Sequence, residues 1–421
     1  MCRASRLWLL SCVAGLCACA APAVISPKTT APQTQTAARV KLDTPSVLAD
    51  EPLAAPESPA AKTTQPTLPH KDKTVRVLVA ENSKSIYVKH SGRINVYTQD
   101  KSKKYKISQP GTISIKTHKN NQVQAGTLIA GQPIIVEPVN GTTLEMDKNK
   151  YTGKFVILPG KTTFNIVEYV SLEQYLYGVL PYEMHPTWAP EALKAQAVAA
   201  RTYTLKSIEK KADEPFDLYS DVRSQVYKGG GQVYDSVKKA VDQTRGEVLS
   251  YKGELFFTYY HGNCGGGTDH VHIWNPKAPN IKPLGGASCK FDSHSKSFTW
   301  KQDIAKSTAE KFARSQGLKG TLKSVRVAKK TGTGRAVNLT LKTTSGSKTV
   351  SCANFRTATG IRSCKLTKIT TGASKVHIQG HGYGHGIGMC QDGAHGMAKQ
   401  NYTYKQILKH YYPGSTLSQV R

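Results

Sequence analysis

The sequence predicts an α+β protein: a β-rich N-terminal subdomain packed with a mixed α/β region, with a groove between them. Three observations carry this. From Thr74 onward apolar residues alternate with polar ones at period two, as on half-buried strands. From Ser171 the pattern changes to helical signals separated by Gly- and Pro-rich connections. At 38% hydrophobic residues over 421 positions, the chain has enough apolar side chains for a real core.

The chain divides in order. Arg3 and Arg6 precede an apolar stretch from Leu7 to Ala21, the pattern of a secretory leader that is too short for an ordinary span. Leu16-Cys17-Ala18-Cys19 places a cysteine after a small residue, so residues 1–19 read as a lipoprotein-type signal peptide with Cys19 as the acylated residue. Cleavage after Ala20 or Ala21 is the alternative. Residues 20–73 are rich in Ala, Pro and Thr without hydrophobic period, and read as a disordered tether. Residues 74–165 form the β-rich subdomain, with Val75-Val77-Val79, Ile113-Ile115 and Phe155-Val156-Ile157 among its alternating runs.

Residues 166–414 form the mixed region. Ser171-Leu172-Glu173-Gln174 has a capping-box pattern and opens a short helix through Leu176. Pro181 and Pro186 place residues 180–186 in a loop. Pro190 suits the first turn of a helix to about Lys210, whose small residues let other elements approach closely and make it central. A helix over Val233–Thr244, a hairpin turning at Lys252-Gly253, a loop over 262–290, a helix from Ile304 to Gln316, strands between Val325 and Val350, and a closing helix Tyr404–Tyr411 complete it. Residues 415–421 are a C-terminal tail.

Charge and cysteine usage bound the function. Lys and Arg number 58 against 28 acidic residues, a net +30 that calls for an anionic partner. Export makes that partner a wall polymer or a membrane surface, and no nucleic acid is expected. Beyond the leader lie Cys264, Cys289, Cys352, Cys364 and Cys390. In an oxidising compartment Cys352 with Cys364 closes a short loop and Cys264 with Cys289 a longer one, though four cysteines allow three pairings; Cys390 is then the odd thiol. His261, Cys264, His270, His272 and Cys289 are the best ligand cluster by spacing, behind a disulfide or a plain loop.

Two blocks are more specific. One runs from Ser171 through Glu183-Met184 to Glu191 and Ala192 up to Tyr203. The other is Gly380-His381-Gly382-Tyr383-Gly384-His385-Gly386-Ile387-Gly388-Met389-Cys390-Gln391, continuing to Gly414. Together with Gln225-Val226-Tyr227 and Phe355-Arg356, they closely resemble the sporulation stage II protein D family, which includes amidase enhancers. The resemblance spans about residues 74 to 414. It implies an exported peptidoglycan lytic transglycosylase that cleaves glycan strands at N-acetylmuramic acid and prefers strands stripped of stem peptides. It also implies Glu183 as general acid/base, giving 1,6-anhydro-muramyl ends. Gln196, Tyr203, His381, His385 and Gln391 are the expected substrate-binding residues. An amidase is the expected functional partner, and a lipid anchor joins the protein to the membrane facing the periplasm or envelope.

The residues agree with such chemistry. The Pro- and aromatic-flanked setting of Glu183 keeps a carboxyl protonated near neutral pH. A lone carboxylate fits a transglycosylase, in which the sugar's own C6 hydroxyl attacks C1, whereas hydrolases usually bring two. Glu168 and Asp221 are weaker second carboxylates. Some relatives hold zinc through cysteine and histidine just before the Gln-Val-Tyr element; here Asp221-Val222-Arg223-Ser224 stands there, so no metal and no cofactor is expected. The second reading is a non-catalytic wall-binding protein that stimulates an N-acetylmuramoyl-L-alanine amidase. A third pairs Cys390 with His385 as a thiol hydrolase.

Overall fold

A computed structural model describes residues 73–231 and 233–420. The leader, the acylation site Cys19 and the tether up to residue 72 lie outside the described residues. What is described is a mixed α+β architecture with seven α-helices.

The N-terminal alternation produces two sheets that share one core, antiparallel except where the later strand Leu218–Tyr219 joins Thr74–Ser83 in parallel. The first runs Leu218–Tyr219, Thr74–Ser83, Phe164–Ser171, Lys154–Pro159, Ile134–Pro138, Ile94–Thr98, Lys104–Ile107. The second runs Asn149–Tyr151, Leu144–Met146, Ser85–His90, Gly111–His118, Gln122–Ala125, Leu128–Ala130. Val75, Val77, Val88, Ile113, Ile115 and Phe155 are buried between them, the faces that a period-two pattern points inward. Strand Phe164–Ser171 pairs along Thr74–Ser83 and runs straight into helix α1 (Leu172–Glu183).

Helix α1 departs from expectation at both ends. Ser171 is its N-cap, but its side chain makes no capping bond. Glu173 is instead held by Arg201 at 3.0 and 2.8 Å. The helix also continues through Pro181 to Glu183, where two prolines predict a loop. The proline sits in the last turn, where little helix remains to be broken. One turn earlier, the Gly178 carbonyl also receives the Lys228 N–H at 3.4 Å, which ties the helix to the segment crossing it. A β-carbon at Gly178 would lie 2.5 Å from the Gly229 carbonyl oxygen, so glycine is required for this crossing.

Helix α2 (Pro190–Lys210) starts at the proline as predicted and is buried on most of its circumference. Around it pack α1, α3 (Asp235–Gln243), α6 (Gln391–Lys399), α7 (Tyr404–Tyr411) and strand Glu247–Tyr251. The hairpin turns at Lys252 and Gly253, both at positive φ. Residues Thr416–Gln419 form a strand beside Glu247–Tyr251, so this part of the tail is ordered.

A second core was not anticipated. Trp300, Ile304, Phe312, Leu339, Leu341, Phe355 and Ile378 cluster separately from the main core. They lie among two three-stranded sheets, α4 (Lys306–Ser315) and α5 (Cys352–Thr359). The Cys352–Cys364 disulfide, one of the pairings left open by the sequence, ties the start of α5 to strand Lys365–Thr371.

Glu168 is buried in the first sheet, accepting from Tyr227 Oη at 2.7 Å and the Gly153 N–H at 2.9 Å. It is a structural carboxyl rather than a second catalytic one. Burial pushes its pKa up to about 7 against these hydrogen bonds. A raised carboxyl pKa stabilises the fold below the ordinary value of 4.5 and loses that contribution as pH rises through about 7. The gap corresponds to about 3 kcal/mol. Glu168→Gln keeps partners for both hydrogen bonds, because the Tyr227 hydroxyl can accept from the amide. Its urea midpoint is expected to exceed that of the wild type at pH 8, with the difference vanishing near pH 4.5.

Candidate functional site

The groove of about 330 Å³ is lined by residues from 182 to 391, so it lies within the mixed region, with the β-rich subdomain outside its lining. One wall comes from the end of α1, Tyr203 of α2 and the segment 222–226. The opposite wall comes from Tyr260–Gly262, Trp274, Arg356 and the turn Tyr383-Gly384-His385.

Glu183 is the last residue of α1 and is half-buried. Its Oε1 accepts the Val226 N–H at 3.0 Å, and its Oε2 accepts from Gln391 Nε2 at 3.4 Å. Burial raises its pKa above the usual carboxyl value, with these two bonds pulling the other way. The negative end of the α1 dipole adds to the upward push. Glu183 is the only carboxylate among the described residues that line the groove. Asp221 faces Arg223 at 2.8 Å, and Glu173 is committed to Arg201.

The segment that carries the Val226 N–H is positioned from below. Gln225 donates to Tyr175 Oη at 3.2 Å and Thr204 Oγ1 at 2.9 Å, and accepts from Tyr260 Oη at 2.7 Å. Gln225 is thus central to the site through its neighbours. The Gln-Val-Tyr element was visible in the sequence, but its donor is a backbone N–H, which side-chain chemistry does not advertise.

Of the five expected substrate-binding residues, Tyr203, His385 and Gln391 line the groove. Gln196 does not. It is fully buried behind Gln391, with its Oε1 3.5 Å from Gln391 Nε2. His381 lies on strand Lys375–His381, where Nδ1 is 3.2 Å from Thr299 Oγ1 and from the Phe298 carbonyl, and it is not among the groove's lining residues.

The histidine turn holds an uncharged imidazole. His385 Nε2 is 3.0 Å from the Tyr260 carbonyl and must donate to it, while Nδ1 accepts the Ile387 N–H at 3.1 Å. Burial and then Arg356 push its pKa down to about 3. With both nitrogens engaged by backbone groups, His385 has no free nitrogen for a thiol. Cys390 Sγ instead accepts N–H groups of Cys264 and Gly393 at 3.2 and 3.3 Å, so no Cys–His pair forms. Gly384 has φ +113°, and a β-carbon there would lie 2.7 Å from His261 Cβ. The glycines therefore let this turn close over His261.

Three lining residues were not singled out as groove residues. His261 accounts for Nδ1 against the Ile387 carbonyl at 3.1 Å, while its buried Nε2 has no partner. Trp274 stacks on His385 at 5.6 Å between ring centres. Arg356 forms no ion pair among the described residues, and burial lowers its pKa to about 10. All three reach the groove from distant parts of the chain. Phe355-Arg356 was the one signal for the last of them.

The spacing-based ligand cluster does not assemble. His270 Nε2 lies 2.9 Å from Asn280 Oδ1, and His272 Nε2 lies 2.8 Å from the Ala278 carbonyl. Cys264 and Cys289 converge instead with Cys390 and Asp292.

Comparison with known proteins gives these observations a family. A family model described as SpoIID, Stage II sporulation protein, matches residues 160–251, the stretch that holds Glu183, Tyr203 and Val226. An uncharacterised protein of Brachyspira hyodysenteriae is 34% identical over 289 residues, covering 67% of this chain and 75% of the relative. The amidase enhancer of Bacillus subtilis is 30% identical over 370 residues, and the match spans 74% of this chain and half of that longer protein. Stage II sporulation protein D of Bacillus subtilis is 29% identical over 277 residues, covering 62% of this chain and 78% of the relative. The chain belongs to the stage II sporulation protein D family.

Proposed function

We propose that this protein is a lytic transglycosylase of the cell wall, cutting peptidoglycan glycan strands at N-acetylmuramic acid with Glu183 as the single acid/base. The observation that carries this reading is a lone groove carboxyl whose burial favours the protonated form. In the first half of the reaction Glu183 donates its proton to the glycosidic oxygen as the C1–O bond breaks. In the second half the resulting carboxylate takes the proton of the C6 hydroxyl, whose oxygen bonds to C1. The product is a 1,6-anhydro ring, and Glu183 ends protonated as it began. No water is consumed, so no second carboxylate is needed, in contrast to glycoside hydrolysis.

The remainder of the groove supports a sugar chain. Tyr182 and Tyr383 are half-exposed, and together with Trp274 they offer aromatic surface to pyranose rings. Arg356 supplies a cation for the lactyl carboxylate that remains when stem peptides are removed. The net +30 charge favours an anionic strand, with binding that weakens as salt rises. An amidase that strips stem peptides is the proposed functional partner. The leader and Cys19 support export and a lipid anchor, for which labelling with radioactive palmitate and its loss in Cys19→Ser is the test.

The name of the Bacillus relative favours a second reading, in which the groove binds wall polymer and stimulates an amidase without cutting. Digests of amidase-treated sacculi separate the two. Wild type is expected to release 1,6-anhydro-muramyl ends by mass spectrometry, and Glu183→Gln to lower that rate by about 10²–10⁴-fold. Unchanged ends in the variant, or none from wild type alongside amidase stimulation, would sink the acid/base reading.

A pH profile probes the same proton. The acid form of Glu183 is required first, so the rate falls as pH rises through its raised pKa. Gln391 favours the carboxylate by donating to it. Gln391→Ala is therefore expected to move this falling limb to higher pH, measured as kcat/KM on stripped strands.

A further inference from the structure

Three cysteines and one carboxylate from three segments of the chain meet behind the groove. The ligand atoms of Cys264, Cys289, Asp292 and Cys390 lie within 4.8 Å of one another, and all four residues are buried. Asp292 Oδ2 is 3.0 Å from Cys264 Sγ and 3.8 Å from Cys390 Sγ. A tetrahedron with ~2.3 Å zinc–sulfur bonds has edges of about 3.8 Å, so the group needs only small adjustment to surround an ion.

Two further observations point to a cation. Asp292 is fully buried, forms no ion pair among the described residues, and leaves Oδ1 without a partner. A buried carboxylate without a counter-charge is costly. The same chain forms the Cys352–Cys364 disulfide, yet Cys264, Cys289 and Cys390 stand together unbridged. Any disulfide among these three would strand the third thiol beside that carboxylate.

We infer that Cys264, Cys289, Cys390 and Asp292 form a closed structural zinc site. Soft thiolates with one carboxylate suit Zn²⁺, and four protein ligands leave no open position for chemistry. Binding releases three thiol protons and leaves a site of net charge −2. An outer shell for that charge is already in place. Cys390 Sγ accepts the N–H groups of Cys264 and Gly393, and Asp292 Oδ2 accepts those of Gly265 and Gly266 at 2.8 and 3.3 Å. Tyr411 Oη lies 3.1 Å from Cys289 Sγ. Lys365 Nζ approaches Gly266, 3.7 Å from where a β-carbon there would sit.

The position explains the role. Cys390 is the N-cap of α6, and the next residue is Gln391, which reaches Glu183. The ion clamps the loop 264–292 to the start of that helix. This inference stands apart from the transglycosylase reading, since its test reads metal rather than activity.

Elemental analysis of the full chain purified without chelator is expected to show one zinc per molecule. After chelation under denaturation and refolding with Co²⁺, visible d–d bands of tetrahedral cobalt and near-ultraviolet thiolate charge transfer are expected. Tyr411→Phe removes only an outer-shell hydroxyl, and is expected to weaken zinc affinity about 10–100-fold in chelator competition. Alkylation in denaturant mapped by peptide mass gives a check without any variant, because Cys264, Cys289 and Cys390 are expected to become reactive only once chelator is added. Metal-free protein overturns the inference, whether Cys264, Cys289 and Cys390 alkylate freely or two of them prove disulfide-bonded by mass.

Discussion

Almost everything in the mixed region depends on the burial of helix α2. A helix wrapped on most sides must satisfy its polar side chains internally, and α2 does so largely with small and hydroxylated residues, though Gln196 Nε2 is left without a partner. Thr202, Thr204 and Ser207 return their hydroxyls to carbonyls one turn back. Thr202 Oγ1 also accepts the Leu249 N–H, and Thr204 Oγ1 accepts from Gln225. Arg201 is fully buried and spans Glu173 of α1, the Val241 carbonyl of α3 and the Glu247 carbonyl of the neighbouring strand. Removing one partner of such a pair would leave an uncompensated buried charge, which is far costlier than the pair itself is stabilising. The helix thereby fixes the relative placement of the two groove walls it touches.

On that frame the site uses few charged groups. Glu183 is placed at a helix end where both burial and the backbone dipole favour its neutral form. A single backbone N–H and one amide keep that preference from becoming absolute. Across the groove His385 is held neutral by two backbone partners. The histidine turn is therefore an uncharged part of the groove wall, fixed by the backbone around it.

The sequence was most legible where structure is local. Period-two alternation located the N-terminal strands, Pro190 marked the start of α2, and Lys252-Gly253 marked a hairpin, because each signal lies within a few residues of what it causes. The end of α1 was misread because Pro181 is tolerated when only the final turn follows it. Glu183 itself stood out within its motif. Its partners Val226 and Gln391 lie 43 and 208 residues away, and no periodicity reports such distances. The cysteine cluster was hidden for the same reason. Spacing suggested the nearby histidines, whereas the fold binds His270 to Asn280 and His272 to the Ala278 carbonyl, and brings in Cys390, 126 residues from Cys264.

The short strand Thr416–Gln419 has a consequence out of proportion to its length. It covers one side of Glu247–Tyr251, whose other side is covered by Glu254–Leu255. Without it, the ladder groups of a strand packed directly on α2 would face solvent as an open edge, available to pair with another chain. The strand Thr416–Gln419 thus acts as a guard against self-association, and proteolytic removal of it would expose a sticky seam next to α2.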